Sequence, residues 1–170
     1  AQIRFGLAAV KGVGEKAVSA LLAVRDEGGP FRSIFDFCDR VDLAAVNRAT
    51  IEALIKCGAF DSTGAMRKAL MMVLDDAVSH GAAAAEDRRT GQLSLFGKEE
   101  QGEPRIPSEQ WTEAEMLAYE KATLGFYVTR HPLSAHEETL SKYATARTTD
   151  LTRYNDSSQV ILGGMISKMR

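Results

Sequence analysis

Two glycines one residue apart, Gly12 and Gly14, stand between the apolar run Leu7-Ala8-Ala9-Val10 and a helix-like stretch that opens at Glu15. Glycine serves where a chain turns sharply or where bare backbone must approach another group. Val13, between them, has the opposite demand and ties the corner to a core. A glycine corner that opens a helix leaves the first N–H groups uncapped at the positive end of the helix dipole. That is a ready anion site. Val18, Leu21, Leu22 and the stem of Arg25 follow at helical spacing, and Lys11 and Lys16 bracket the turn. A Gly-x-Gly can also be a tight corner and nothing more. The flanking lysines favour the anion.

This pattern resembles the helix-hairpin-helix, a module that holds DNA by its phosphates without reading sequence. The resemblance implies DNA contacts from Lys11, Gly12, Val13, Gly14 and Lys16. Charge limits their strength. The 170 residues carry 21 Lys and Arg against 23 Asp and Glu, a formal net charge of -2. Residues 1–60 hold eight basic and seven acidic side chains, so the hairpin half is nearly neutral. Any DNA contact is therefore local, built from backbone amides and a few lysines.

Cys38 and Cys57 have no metal-ligand spacing, and His80, His131 and His136 do not complete a set. No metal site is expected, and both thiols read as reduced core residues of a cytoplasmic protein. No signal peptide or membrane-length apolar run is present. The chain opens on Ala1 rather than Met and ends inside a strand-like run, so it reads as a piece of something longer.

Along the chain, the first hairpin spans roughly residues 3–28 and stops at Gly28-Gly29-Pro30. Ser33 and Asp36 mark the N-terminus of a helix that reaches Val41. Asn47 caps another, carrying Ile51, Leu54 and Ile55 and ending at Gly58. Between them Ala44-Ala45-Val46 replaces a glycine corner, which suggests a degenerate second hairpin used for packing. A helix bearing Leu70, Val73, Leu74, Ala77 and Val78 is expected to give out around Gly81. Asp75 and Asp76, adjacent on that helix, read as a solvated face. Residues 82–109 have no sustained period and read as a linker.

Thr112 and Glu115 form a capping box for a helix with Met116, Leu117, Lys121 and Leu124, stopped by Gly125. Ser134 and Glu137 are expected to cap a further short helix after His131-Pro132-Leu133. Residues 160–166 are apolar and β-branched, the pattern of a strand.

The linker holds Gly91-Gln92-Leu93-Ser94-Leu95-Phe96-Gly97. Large apolar residues in a polar segment either fold back on the protein's own helices or dock on a partner. Gln92, Leu95 and Phe96 match the pentapeptide by which bacterial proteins hold the sliding clamp. Burying one Leu and one Phe supplies roughly 3–6 kcal/mol, whereas micromolar affinity needs about 8 kcal/mol. Leu93, hydrogen bonds from Gln92 and the backbone around Ser94 would supply the rest, helped by avidity with DNA.

Four segments together resemble the bacterial DNA polymerase III alpha subunits. They are Val10-Lys11-Gly12-Val13-Gly14, then Leu54-Ile55-Lys56-Cys57-Gly58-Ala59-Phe60-Asp61, the peptide at 92–96, and the stretch from Glu120 through Leu124-Gly125-Phe126-Tyr127 to His131-Pro132-Leu133. The resemblance implies a mostly α fold: a helix-hairpin-helix DNA-binding domain at 1–81, a linker with the clamp-binding peptide at 82–110, and a helical connector at 111–158. Residues 159–170 would begin a truncated oligonucleotide-binding barrel. It implies a non-catalytic segment that binds duplex DNA, tethers the polymerase to the sliding clamp during replication, and meets other holoenzyme subunits through the parent chain. Nucleotidyl transfer with magnesium would belong to palm aspartates outside this segment, and no cofactor is expected within it. His131-Pro132-Leu133 reads as a terminator between domains rather than an acid–base group.

Three other readings compete. An error-prone paralogue shares the pattern, although the well-formed peptide at 92–96 favours the replicative form. A helix-hairpin-helix DNA-repair enzyme would place a catalytic Asp in an apolar cleft, whereas Asp26-Glu27 runs into a glycine turn. A protein scaffold would use Gly12 and Gly14 only as a corner.

Overall fold

The computed structural model describes residues 5–91, 104–166 and 169. Among them are seven α-helices and no strand: α1 (Glu15–Gly28), α2 (Ile34–Arg40), α3 (Arg48–Lys56), α4 (Arg67–Met72), α5 (Leu74–Thr90), α6 (Glu113–Leu124) and α7 (Glu137–Tyr143). The chain separates into two compact units, Ala1–Tyr127 and Val128–Arg170.

In the first unit the capping residues act as their chemistry dictates. Ser33 Oγ accepts from Asp36 N at 3.1 Å, and Asn47 Oδ1 accepts from Thr50 N at 3.0 Å. Thr112 and Glu115 close a reciprocal capping box at the start of α6. Gly125 ends α6 in the left-handed conformation at φ 83°. The stop after α1 is held by Arg40, whose Nη2 donates to the carbonyls of Val24 and Gly29, each at 2.9 Å. A side chain at Gly28 would collide with that guanidinium, its Cβ lying 2.5 Å from Nη2.

The core joins Val10, Val13, Ala17 and Leu21 of the first hairpin to Ile34, Phe37, Ile51, Leu54, Leu70 and Leu74. Phe37 packs edge-on against both Phe31 and Phe60. Burying an aliphatic or aromatic side chain contributes about 1.5–3 kcal/mol, so this shared core fixes the hairpins against α4 and α5.

One expectation fails at Gly81. The helix does not give out there but continues as α5 to Thr90, with Gly91 in the left-handed conformation at φ 66°. Residues 82–90, read as linker, are helical. Gly81 is buried against α2, and a Cβ on it would lie 2.3 Å from the Cys38 carbonyl oxygen. Its role is close helix packing rather than termination. The break comes earlier, at Val73, which separates α4 from α5 with ψ near 4°.

The second unit also departs from expectation. Its first turn is a 3-10 helix, Pro132–His136, capped by His131, whose Nδ1 accepts from Leu133 N at 3.2 Å. Ser134 is therefore inside the turn and does not cap α7, because proline preorganises the first turn two residues earlier. The strand expected at the end is not formed in residues 160–166. Ile161 N donates to Thr145 Oγ1 at 2.8 Å and Thr145 N to Ile161 O at 3.0 Å, and no ladder extends from there. A strand needs a partner that pairs along its length. The described residues offer a single point of attachment.

Candidate nucleic-acid interface

The corner before α1 is assembled from backbone hydrogen bonds. A 3-10 turn, Leu7–Ala9, delivers the chain to Val10, and Val13 N then donates to Val10 O at 3.0 Å. Val10 and Val13 are buried, so their side chains anchor the turn, while Lys11, Gly12, Gly14 and Lys16 are exposed. Gly12 has φ +90°, a conformation that other residues adopt only with strain. Its carbonyl accepts from Thr50 Oγ1 of α3 at 3.3 Å. Lys11 N donates to the Thr123 carbonyl in the last turn of α6 at 2.9 Å.

Gly14 is glycine for a different reason. Its φ of -84° and ψ of 160° suit any residue, and a Cβ there would meet nothing within 4 Å. It is the N-cap of α1 and offers no side-chain acceptor, with the first helical bond running from Val18 N to Gly14 O at 3.1 Å. The first-turn N–H groups of α1 thus meet no capping side chain, and the space in front of them is open. An anion can come close to bare amides there.

The second hairpin is closed by comparison. Asp42 supplies its turn, taking Ala44 N on Oδ1 at 2.9 Å and both Ala45 N and Val46 N on its carbonyl. Asn47 caps α3, and Val46 is fully buried. Four of its amides, those of Ala44, Ala45, Val46 and Thr50, already have partners, and the turn serves packing.

The local charges divide in the same way. Neither Lys11 nor Lys16 joins an ion pair among the described residues, although Glu15 sits between Gly14 and Lys16. Arg48 and Lys56 on α3 are neutralised: Arg48 pairs with Asp75 at 2.5 Å and Glu52 at 2.9 Å, and Lys56 with Glu52 at 2.5 Å. These cations hold the Asp75 and Glu52 carboxyls below the usual carboxylate range. Asp75 is exposed as its pattern suggested, and it also joins α5 to α3 through Arg48.

Sequence reading passed over the groups behind the corner. Arg67 is buried, with Nε 2.8 Å from Asp61 Oδ1, Nη2 2.5 Å from Asp61 Oδ2 and Nη1 2.9 Å from Glu120 Oε1. These hydrogen bonds, first those that Arg67 donates to Asp61, hold the guanidinium pKa above its ordinary value against the opposing cost of burial. Glu120 has no exposed surface. A signal was available: Arg67 precedes Leu70 and Leu74 by one and two helical turns, and Glu120 lies between Leu117 and Leu124 on the same face. Opposite charges on two apolar stripes point to a buried pair.

Both cysteines are free, and burial pushes the Cys38 thiol up to about 12 and raises that of Cys57. Among the described residues no group of three or more His, Cys, Asp or Glu could hold a metal ion. No described helix is long and apolar enough to cross a membrane. Gln92, Leu93, Ser94, Leu95 and Phe96 lie outside the described residues.

A 3-10 turn and α1 flank the buried-valine, exposed-glycine corner, and the family model described as "Helix-hairpin-helix motif" matches residues 1–70. Curated relatives extend the match to nearly the whole chain. DNA polymerase III subunit alpha of Pasteurella multocida is 36% identical over 174 residues, covering 99% of this chain and 15% of the relative. That of Haemophilus influenzae is 38% identical over the same coverage, and that of Caulobacter vibrioides 40% identical over 78% of this chain and 12% of its own. The chain matches a segment of the DNA polymerase III alpha subunit, and spans about 15% of the length of the first relatives.

Proposed function

We propose that this chain is the part of a replicative DNA polymerase III alpha subunit that grips duplex DNA and tethers the polymerase to its sliding clamp. The observation that carries the DNA part is Gly14: an N-cap free of conformational and packing demands, in front of amides without a capping side chain and between two lysines that join no ion pair among the described residues. Phosphates bound there would accept from the first-turn amides of α1, with Lys11 and Lys16 adding charge and Gly12 and Val13 holding the corner. The grip is sequence-independent and modest, because so few cations take part.

The clamp part rests on the sequence of Gln92, Leu93, Ser94, Leu95 and Phe96 and its resemblance to the clamp-binding pentapeptide. The same proposal places the DNA grip in the unit Ala1–Tyr127, with the peptide at 92–96 between α5 and α6, in place of divisions at 81 and 110. It also carries an oligonucleotide-binding barrel beginning at 159–170. Nucleotidyl transfer, the other holoenzyme subunits and a cytoplasmic location belong to the parent polymerase.

Titration of the chain with a short duplex at several salt concentrations tests the first part, and titration with the cognate clamp tests the second. Saturable clamp binding that disappears in a Leu95→Ala, Phe96→Ala double variant supports the tether. Equal binding by both forms, or by neither, removes the tether and leaves the DNA grip alone.

A further inference from the structure

Behind the open corner, three side chains from distant parts of the sequence meet in the interior. Arg67 of α4 grips Asp61 with two hydrogen bonds and Glu120 of α6 with a third. Gly58, at φ +83°, leaves room for this: a Cβ there would lie 2.2 Å from Arg67 Nη2. One turn beyond Glu120, Thr123 presents its carbonyl to Lys11 N at 2.9 Å. Carbonyls in the last turn of a helix have no intrahelical partner, so this one is available to the hairpin. The Thr123 hydroxyl is turned back to its own helix, donating to Tyr119 O at 2.8 Å. The backbone bond is therefore the polar tie between α6 and Lys11.

We infer that the Arg67–Glu120 pair is a positioning device for the phosphate-binding corner, acting through α6 and the Thr123 carbonyl on Lys11. This deepens the proposed DNA grip and rests on it. A fully buried carboxylate fixed by a guanidinium sets the rotation of α6 about its axis, since any other orientation would strand a charge in the core. That rotation places the Thr123 carbonyl. The carbonyl in turn fixes the peptide that enters the left-handed Gly12, and with it the direction of the α1 amides. Preorganised donors bind an anion without an ordering cost at the moment of contact.

The test uses the full chain with Glu120→Gln, and Arg67→Lys as a second variant that keeps the charge but loses the fork. Amide hydrogen exchange is read at Lys11 and at Val18, whose N–H lies within α1, and duplex-DNA affinity is read across salt. The inference expects Lys11 to exchange about tenfold faster while Val18 stays within about twofold. It also expects DNA affinity to fall about fivefold with an unchanged salt slope, because the same phosphates are contacted. Unchanged Lys11 protection in both variants overturns it. So does a parallel rise at Lys11 and Val18, which reports general loosening, and so does a freed Lys11 with unaltered DNA affinity. A wild-type chain that binds no duplex removes the DNA role instead; the mechanical link is then upheld by a selective Lys11 response and refuted by its absence.

Discussion

Arg67 and Glu120, 53 positions apart in sequence, form a buried ion pair with Nη1 2.9 Å from Oε1. The pair joins α4 to α6 across the linker region, so residues on both sides of 92–103 share one core. Removing one member of such a pair is costly because the other charge remains buried, whereas replacing both with apolar groups is much milder. Thermal or denaturant unfolding of Glu120→Leu is expected to show a loss of about 3–5 kcal/mol. The Arg67→Met, Glu120→Leu double variant is expected to recover most of it, since Asp61 is half exposed and keeps its water.

Gly81 and Gly14 give opposite outcomes on substitution. At Gly81 a Cβ would lie 2.3 Å from the backbone oxygen of Cys38, which no rotamer can relieve. Gly81→Ala is expected to cost about 1–3 kcal/mol, read by denaturant unfolding. Its DNA affinity at a temperature where the variant is folded should match the wild type, because α5 packs chiefly on α2, α3 and α4.

Cys38 links stability to alkaline pH. Burial raises its thiol from an ordinary 9.0 to about 12, so the folded state holds this proton more tightly than the unfolded state. The stability involved is complete below 9.0 and is lost as pH rises toward about 12. Stability measured between pH 8 and 10.5 should therefore fall more steeply in the wild type than in Cys38→Ala. A matching thiol reagent should label Cys38 only at the rate of unfolding.

Much of the helical framework was legible in the sequence because local chemistry decides it. Ser33, Asn47 and the Thr112–Glu115 box are caps with short-range partners, and Gly58 and Gly125 are left-handed residues at helix ends. Gly12 and Gly14 identified the corner for the same reason. What escaped was set by tertiary contact. Gly81 has the composition of a stop, and only its fit against the Cys38 backbone shows that α5 passes through. Residues 160–166 have strand chemistry, but a strand exists through its neighbours, and residues 145–146 provide one attachment point. His131 displaced Ser134 as a cap because Pro132 began the turn early. The Arg67–Glu120 pair showed only as opposite charges on two apolar stripes, and the Thr123 tie to Lys11 connects positions too distant for any local pattern.

The Gly14 site gives the central claim its most direct test, since stability and binding should move in opposite directions there. Asp is a better N-cap than Gly by a few tenths of a kcal/mol, and its carboxylate would take the amides that a phosphate needs. The measurement is a duplex-DNA titration by fluorescence anisotropy for wild type and Gly14→Asp, alongside their melting temperatures. The expected result is saturable, salt-dependent binding by the wild type and its loss in a variant that melts at the same or a higher temperature. Equal DNA affinity in the two proteins would contradict the account and leave the glycine corner as architecture.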